Sequence, residues 1–241
     1  MRVSKPLLLS VIGLLTVAAC STNPLETLQL GGTSGVPVER SPASEAPRQA
    51  PSEAPSEAPV DTFKPITLTG KGAKVPRFTI PATAAAIATI SAKGSDNFAV
   101  TSLAADGSDN ELLVNVIGNY AGTVLFDAQD SEHSVAFRIE TSDSWTITIK
   151  PVASARTWDG DSRLSGKGDD VVQINPASSG LIALNITNKG QDNFVVTGYS
   201  DNGPDLMVNE IGNYTGQVQL ADGSVILAVN SDGPWSIAPG G

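Results

Sequence analysis

The sequence predicts an all-β protein: two tandem β-sandwich modules of seven to eight strands, placed after a disordered tether. Three observations lead there. Apolar residues alternate with polar or small ones at Val135/Phe137/Ile139, Val225/Leu227/Val229 and Ile182/Leu184/Ile186, the period of a half-buried strand. Short apolar runs in residues 66–241 are separated by Gly, Asp, Asn or Pro, with no long amphipathic helical stretch between them. The chain also repeats itself, and a repeat of under 90 residues with that many strands fits a sandwich.

The elements follow in chain order. Residues 1–19 have the make-up of a secretory signal: Arg2 and Lys5 supply the positive start, residues 7–17 the apolar stretch, and small residues come next. Some 11 apolar residues fall short of the roughly 20 that a spanning helix needs. Val17-Ala18-Ala19-Cys20 resembles a bacterial lipobox. That resemblance implies cleavage before Cys20, a diacylglycerol on its sulfur, and a protein held at the extracytoplasmic face of the cell membrane. Two acyl chains suffice for stable anchoring where one is marginal. Cys20 is the only cysteine, so no disulfide can help the fold, which must be stable through its apolar cores.

Residues 20–62 form the tether. S-E-A-P recurs at 44–47, 52–55 and 56–59 in a Pro/Ala/Glu/Ser-rich run, a composition that buries too little apolar surface to fold. At about 3.1 Å per residue such a chain reaches on the order of 100 Å.

The first module spans 63–151, a linker 152–161, and the second module 162–241. G-K-G at 70–72 returns at 166–168, and K-G-x-D-N-F at 93–98 returns at 189–194. L-L-V-N-V-I-G-N-Y-A-G at 112–122 returns as L-M-V-N-E-I-G-N-Y-T-G at 206–216, and Trp145-Thr146-Ile147 as Trp235-Ser236-Ile237. The spacing between copies shrinks along the chain, which puts two deletions in the second copy, near 106–111 and 127–134. Both stretches are polar, as loops that tolerate deletion are. Strands are expected at 66–69, 75–80, 85–92, 98–103, 112–116, 123–127, 134–140 and 145–150, with counterparts in the second copy.

The module resembles a repeat of secreted and lipid-anchored bacterial proteins of unassigned activity, with the pattern G-x-G-D, N-F-x-V, L-L-V-N-x-I-G-x-Y-x-G and W-x-I. Here it appears as 166–169, 193–196, 206–216 and 235–237, and the first copy departs from it at Ala73, where the second has Asp169. The resemblance implies an extracellular β-sandwich and transfers no catalytic residue.

Composition excludes some functions. The chain is acidic, with formal charge −10, and lacks the basic clusters that nucleic acid or anionic lipid would require. Membrane contact is expected through the lipid alone. No catalytic site, metal or cofactor is expected. His133 is the sole histidine and lies in a stretch that the second copy lacks, and no G-x-S-x-G elbow occurs. The acidic groups Asp106/Asp109/Glu111, Asp201/Asp205 and Asp159/Asp161 miss the calcium-loop spacing and suit solvated turns. Asp96-Asn97, Asp192-Asn193 and the two I-G-N-Y segments suit tight turns.

The expected role is therefore non-enzymatic contact with an envelope protein, or display. The alternative is binding of carbohydrate or wall polysaccharide by exposed aromatic rings. Its candidate ligand residues are Trp145, Trp235, Tyr120, Tyr214 and, in the linker, Trp158.

Overall fold

A computed structural model describes residues 62–82, 85–128 and 133–240. The signal segment, Cys20 and nearly all of the tether lie outside these residues. Among the described residues no helix is long and apolar enough to cross a membrane, and the one helical element is a single 3-10 turn at Val152–Ser154. The all-β expectation holds.

The first module comprises β1 (Ile66–Lys71), β2 (Ala86–Lys93), β3 (Asn97–Leu103), β4 (Asp109–Ile117), β5 (Tyr120–Phe126), β6 (Ala136–Glu140) and β7 (Ser144–Pro151). They form two sheets, in the orders β1-β7-β2-β5 and β4-β3-β6. Inward-facing Phe98, Phe126, Phe137, Ile90, Ile147 and Ile149 make the core between them. Phe78 and Phe126 meet edge-on with ring centroids 6.1 Å apart, a favourable aromatic geometry.

The strand expected at 75–80 does not form as a regular element. Only isolated bridges link Lys74 to Ile139 and Arg77 to Ala136. Pro76 explains this, because it has no N–H to donate to a ladder; its carbonyl still accepts from Phe137 N at 3.1 Å.

The second module comprises β8 (Arg156–Trp158), β9 (Leu164–Lys167), β10 (Asp170–Ile174), β11 (Ile182–Ser200), β12 (Gly203–Leu220), β13 (Ile226–Asn230) and β14 (Pro234–Pro239). Val172 stands where the first copy has Pro76, and β10 pairs fully with β13. The counterparts of β2 with β3, and of β4 with β5, run here as single long strands. β11 and β12 pair as a hairpin, with register shifts at 189–193 and 196–197. The sheet order is β8-β10-β13-β11-β14-β9, with β12 on β11. Its core is built from Val172, Leu184, Ile186, Phe194, Leu227 and Ile237.

The expected linker is part of this second fold. β8 pairs in parallel with β10, Arg156 opposite Val172 and Trp158 opposite Ile174, and Trp158 enters the second core.

Candidate functional site

The repeated motifs prove to be tertiary contacts of one kind, made twice. Trp145 and Trp235 are each 3% exposed. Their indole nitrogens donate to Gly72 O at 3.0 Å and Gly168 O at 2.9 Å. Each ring lies flat on the first glycine of its G-K-G, where a Cβ would come within 2.3 Å of ring carbon Cζ2 at Gly70 and at Gly166. The last glycine of each motif turns the chain with φ of 71° and 74°, which favours glycine. G-K-G and W-x-I are thus two halves of one buried lock.

Trp158 is likewise 3% exposed, its indole N–H donating to Ser162 O at 2.8 Å. The exposed-ring alternative therefore fails for all three tryptophans: burial leaves no indole face for a sugar. Tyr120 and Tyr214 are half-buried and pack on Phe98 and Phe194, with centroids 6.0 and 5.7 Å apart. Each hydroxyl covers a glycine, Gly122 or Gly216.

What separates the two tyrosines is what their hydroxyls meet. Tyr120 Oη donates to Asp169 Oδ2 at 2.6 Å, from the first module to the second. The other carboxylate oxygen accepts from Asn230 Nδ2 at 3.0 Å and from Ser231 N at 2.8 Å. Thr123 N, on the outer edge of β5, donates to Asp169 O at 2.9 Å. Gly168 passes close enough that a Cβ would meet Ala121 O at 3.2 Å. Burial raises the Asp169 carboxyl, against the lowering pull of the bonds from Tyr120 and Ser231. Burial also raises the Tyr120 phenol, helped by the Asp169 charge and by the bond between them, so the proton stays on Tyr120.

Around this contact lies the groove between β4 and β5 of the first module. Glu111, Leu113, Thr123 and Leu125 face Val171, Val195, Tyr199 and Ala228 of the second. The module junction is thus a polar, partly buried site where the repeated Tyr120 meets Asp169, held by Asn230, two residues that the first copy lacks. Sequence reading singled out Tyr120 but not Asp169, Asn230 or Ser231. The one available signal was the Ala73/Asp169 mismatch, since a residue that changes between otherwise matched copies marks a changed environment.

The remaining candidates serve loops. Asp127, His133 and Ser134 do come together, but not as a catalytic relay. His133 Nδ1 lies 3.3 Å from Asp127 Oδ2, while the fully buried Ser134 donates its Oγ–H to Asp127 Oδ1 at 2.6 Å rather than to the imidazole. Asp127 sits at φ 54° and ties the loop through Ser134 N at 3.0 Å.

Asp106 accepts from Ser108 N at 2.8 Å, and Asp159 from the backbone of Asp161 and Ser162 at 3.0 and 3.1 Å. The Ser108 hydroxyl and N–H lower the Asp106 carboxyl, and the Ser162 N–H and hydroxyl, with the Asp161 N–H, lower that of Asp159, as expected of turn aspartates. Asp109 pairs with Arg138, and that bond lowers its carboxyl. Asp96 takes the Ser142 hydroxyl, and its carbonyl accepts from Gly118 N at 2.9 Å. Asp201 and Asp205 are exposed.

No family model matches this chain, and no curated protein matches it. Among solved structures, the crystal structure of the STIV MCP aligns over 73% of this chain and 95% of its own, at 12% identity and a TM-score of 0.18. The stem and receptor-binding domain of spike protein P1 from bacteriophage PM2 aligns over 76% and 81%, at 9% identity and a TM-score of 0.16. Likenesses that slight leave the function to this chain's own residues.

Proposed function

We propose that this protein is a lipid-anchored, exported envelope protein that works by contact with another protein, without chemistry of its own. The observation that carries the reading is the junction: the β4–β5 face of this module type already holds a folded protein domain, the chain's own second module. Apolar side chains stand out at matching places beside that face in both copies. Leu112 and Leu206 are 64% and 58% exposed, and Ile117 and Ile211 84% and 77%. A pattern kept in both copies is a property of the module face, unlike the scattered exposed residues normal on any surface. Anchoring through Cys20, with residues 20–62 as spacer, is the part of the proposal that rests on the lipobox pattern.

Two measurements test it. Cys20→Ala is expected to move the protein from the membrane fraction to the soluble fraction, and retention in the membrane would refute the anchor. A photo-crosslinking residue at 206 or 211, in intact cells, is expected to give a discrete protein adduct that the same residue at the exposed Val75 does not. Adducts equal at all three positions, or none at 206 and 211, would refute the contact role.

A further inference from the structure

The junction exists once, yet the chain carries each of its halves twice. Matching the copies residue by residue sets Asp205, Leu206, Met207, Gln217, Val218 and Gln219 where the first module has Glu111, Leu112, Leu113, Thr123, Val124 and Leu125. Those six residues, with Ala183, line an open groove of about 560 Å³. The corresponding groove at the junction, closed on one side by the second module, retains about 170 Å³. The C-terminal module therefore presents a second copy of the face that its neighbour uses for docking. Tyr214 sits over Gly216 as Tyr120 sits over Gly122, but among the described residues its hydroxyl has no hydrogen-bond partner.

The opposite half, repeated on the first module, is altered at both polar side chains that make the junction and at the Ala228 beside them. Ala73 replaces Asp169, Arg138 replaces Ala228 and Glu140 replaces Asn230. A second copy of this chain would offer Tyr214 no carboxylate at the place of Asp169, and would bring the Arg138–Asp109 ion pair against the groove instead of a methyl group. Meanwhile the open face has become more polar. Gln217 and Gln219 stand in place of Thr123 and Leu125 and are exposed, with Gln217 Nε2 donating to Asn185 Oδ1 at 3.3 Å. The Tyr214 hydroxyl is left as the donor whose counterpart, that of Tyr120, is taken by the aspartate of a G-x-G-D turn.

Resting on the protein-contact reading above, we propose that the β12 groove around Tyr214 docks a β-sandwich module of a different chain, one that carries the aspartate-bearing G-x-G-D turn. The partner's aspartate would accept from Tyr214 Oη as Asp169 accepts from Tyr120, and its turn would lie along the outer edge of β12.

The test builds the missing half into this protein. The probe is the full chain with Cys20→Ala, Ala73→Asp, Arg138→Ala, Glu140→Asn and Tyr214→Phe, so that it offers the aspartate turn but no donor face. A second probe carries only Cys20→Ala, Ala73→Asp and Tyr214→Phe. Position 73 is exposed, so this probe keeps the fold. Each is titrated into 15N-labelled full chain carrying Cys20→Ala and followed by amide shifts.

Saturable shifts confined to 205–207 and 214–219 are expected. Binding should weaken about tenfold or more when Ala73 is restored in the probe or Tyr214→Phe is placed in the labelled chain, the loss of one charge-assisted bond. No saturable shift up to millimolar probe, or shifts indifferent to Ala73 and Tyr214, would overturn the proposal. Self-association of the unaltered chain through this face would also overturn it. If the probes fail while crosslinking at 206 still yields a protein adduct, the partner class is wrong and the contact role stands.

Discussion

Asp169 concentrates the energetics of the junction in one carboxylate. Asp169→Ala strips the acceptor from Tyr120 Oη, Asn230 Nδ2 and Ser231 N together. It is expected to cost about 2–4 kcal/mol in denaturant unfolding, whereas Tyr120→Phe, which loses one bond, is expected to cost about 1–2 kcal/mol. The same residue sets a pH dependence with a definite sign. Its carboxyl is raised above the ordinary value of 3.8, burial being the main cause. The unfolded chain therefore loses this proton at lower pH than the folded chain does. The group's contribution to stability is full below 3.8 and declines as pH rises through the folded value. Asp169→Asn does not titrate, so it should gain on the wild type as pH rises from 3.8 through the raised folded value. A stability difference that is flat over that window, or slopes the other way, would refute the assignment. Gly166→Ala probes the tryptophan lock. A methyl driven against the buried Trp235 ring should cost about 1–3 kcal/mol, the range for overpacking. The sequence displayed G-K-G and W-x-I as separate motifs. Their union, like the tie between Tyr120 and Asp169, was illegible because residues about 70 and about 50 positions apart share no local pattern.

Strand placement was largely legible because period-two alternation is a local consequence of one buried sheet face. β2, β6 and β7 start and end within a residue or two of their expected places. The expectation failed where local chemistry overruled the pattern, as at Pro76, and where a neighbouring element completed a sheet, as at β8. Residues 156–158 carry no alternation long enough to announce a strand, and only the unpaired edge of β10 makes them one. Arg156 strengthens that attachment. It pairs with Asp170 at 2.6 Å, donates to Ser165 O at 3.0 Å and lies 5.4 Å over the Trp235 ring. Trp158→Ala is therefore predicted to lower the stability of the second module by about 3–5 kcal/mol, as deletion of a buried aromatic does. The loss should appear in amide exchange of β10 and β13 before that of β2 and β7. Equal loss in both modules would contradict the assignment of Trp158 to the second core.

The molecule as a whole is a pair of cores with a polar joint, and its parts should separate at a place the repeat does not mark. A chain beginning at residue 152 is expected to give a folded second module, with dispersed amide resonances and a cooperative melt. One beginning at residue 162 should be unfolded or aggregated, although it contains every repeated motif. Equal folding of the two would show β8 to be dispensable. Behind this prediction lies a mismatch between two ways of counting. Duplication copied a segment whose likeness begins near residue 166, but the second fold begins at Arg156, in a stretch that has no counterpart motif ahead of the first copy. The inherited unit and the self-sufficient unit are out of step by about ten residues. Recombination that cut cleanly at the likeness would hand its recipient a module short of one strand and one tryptophan, so this pair should travel through genomes together or with its connector, and seldom as halves.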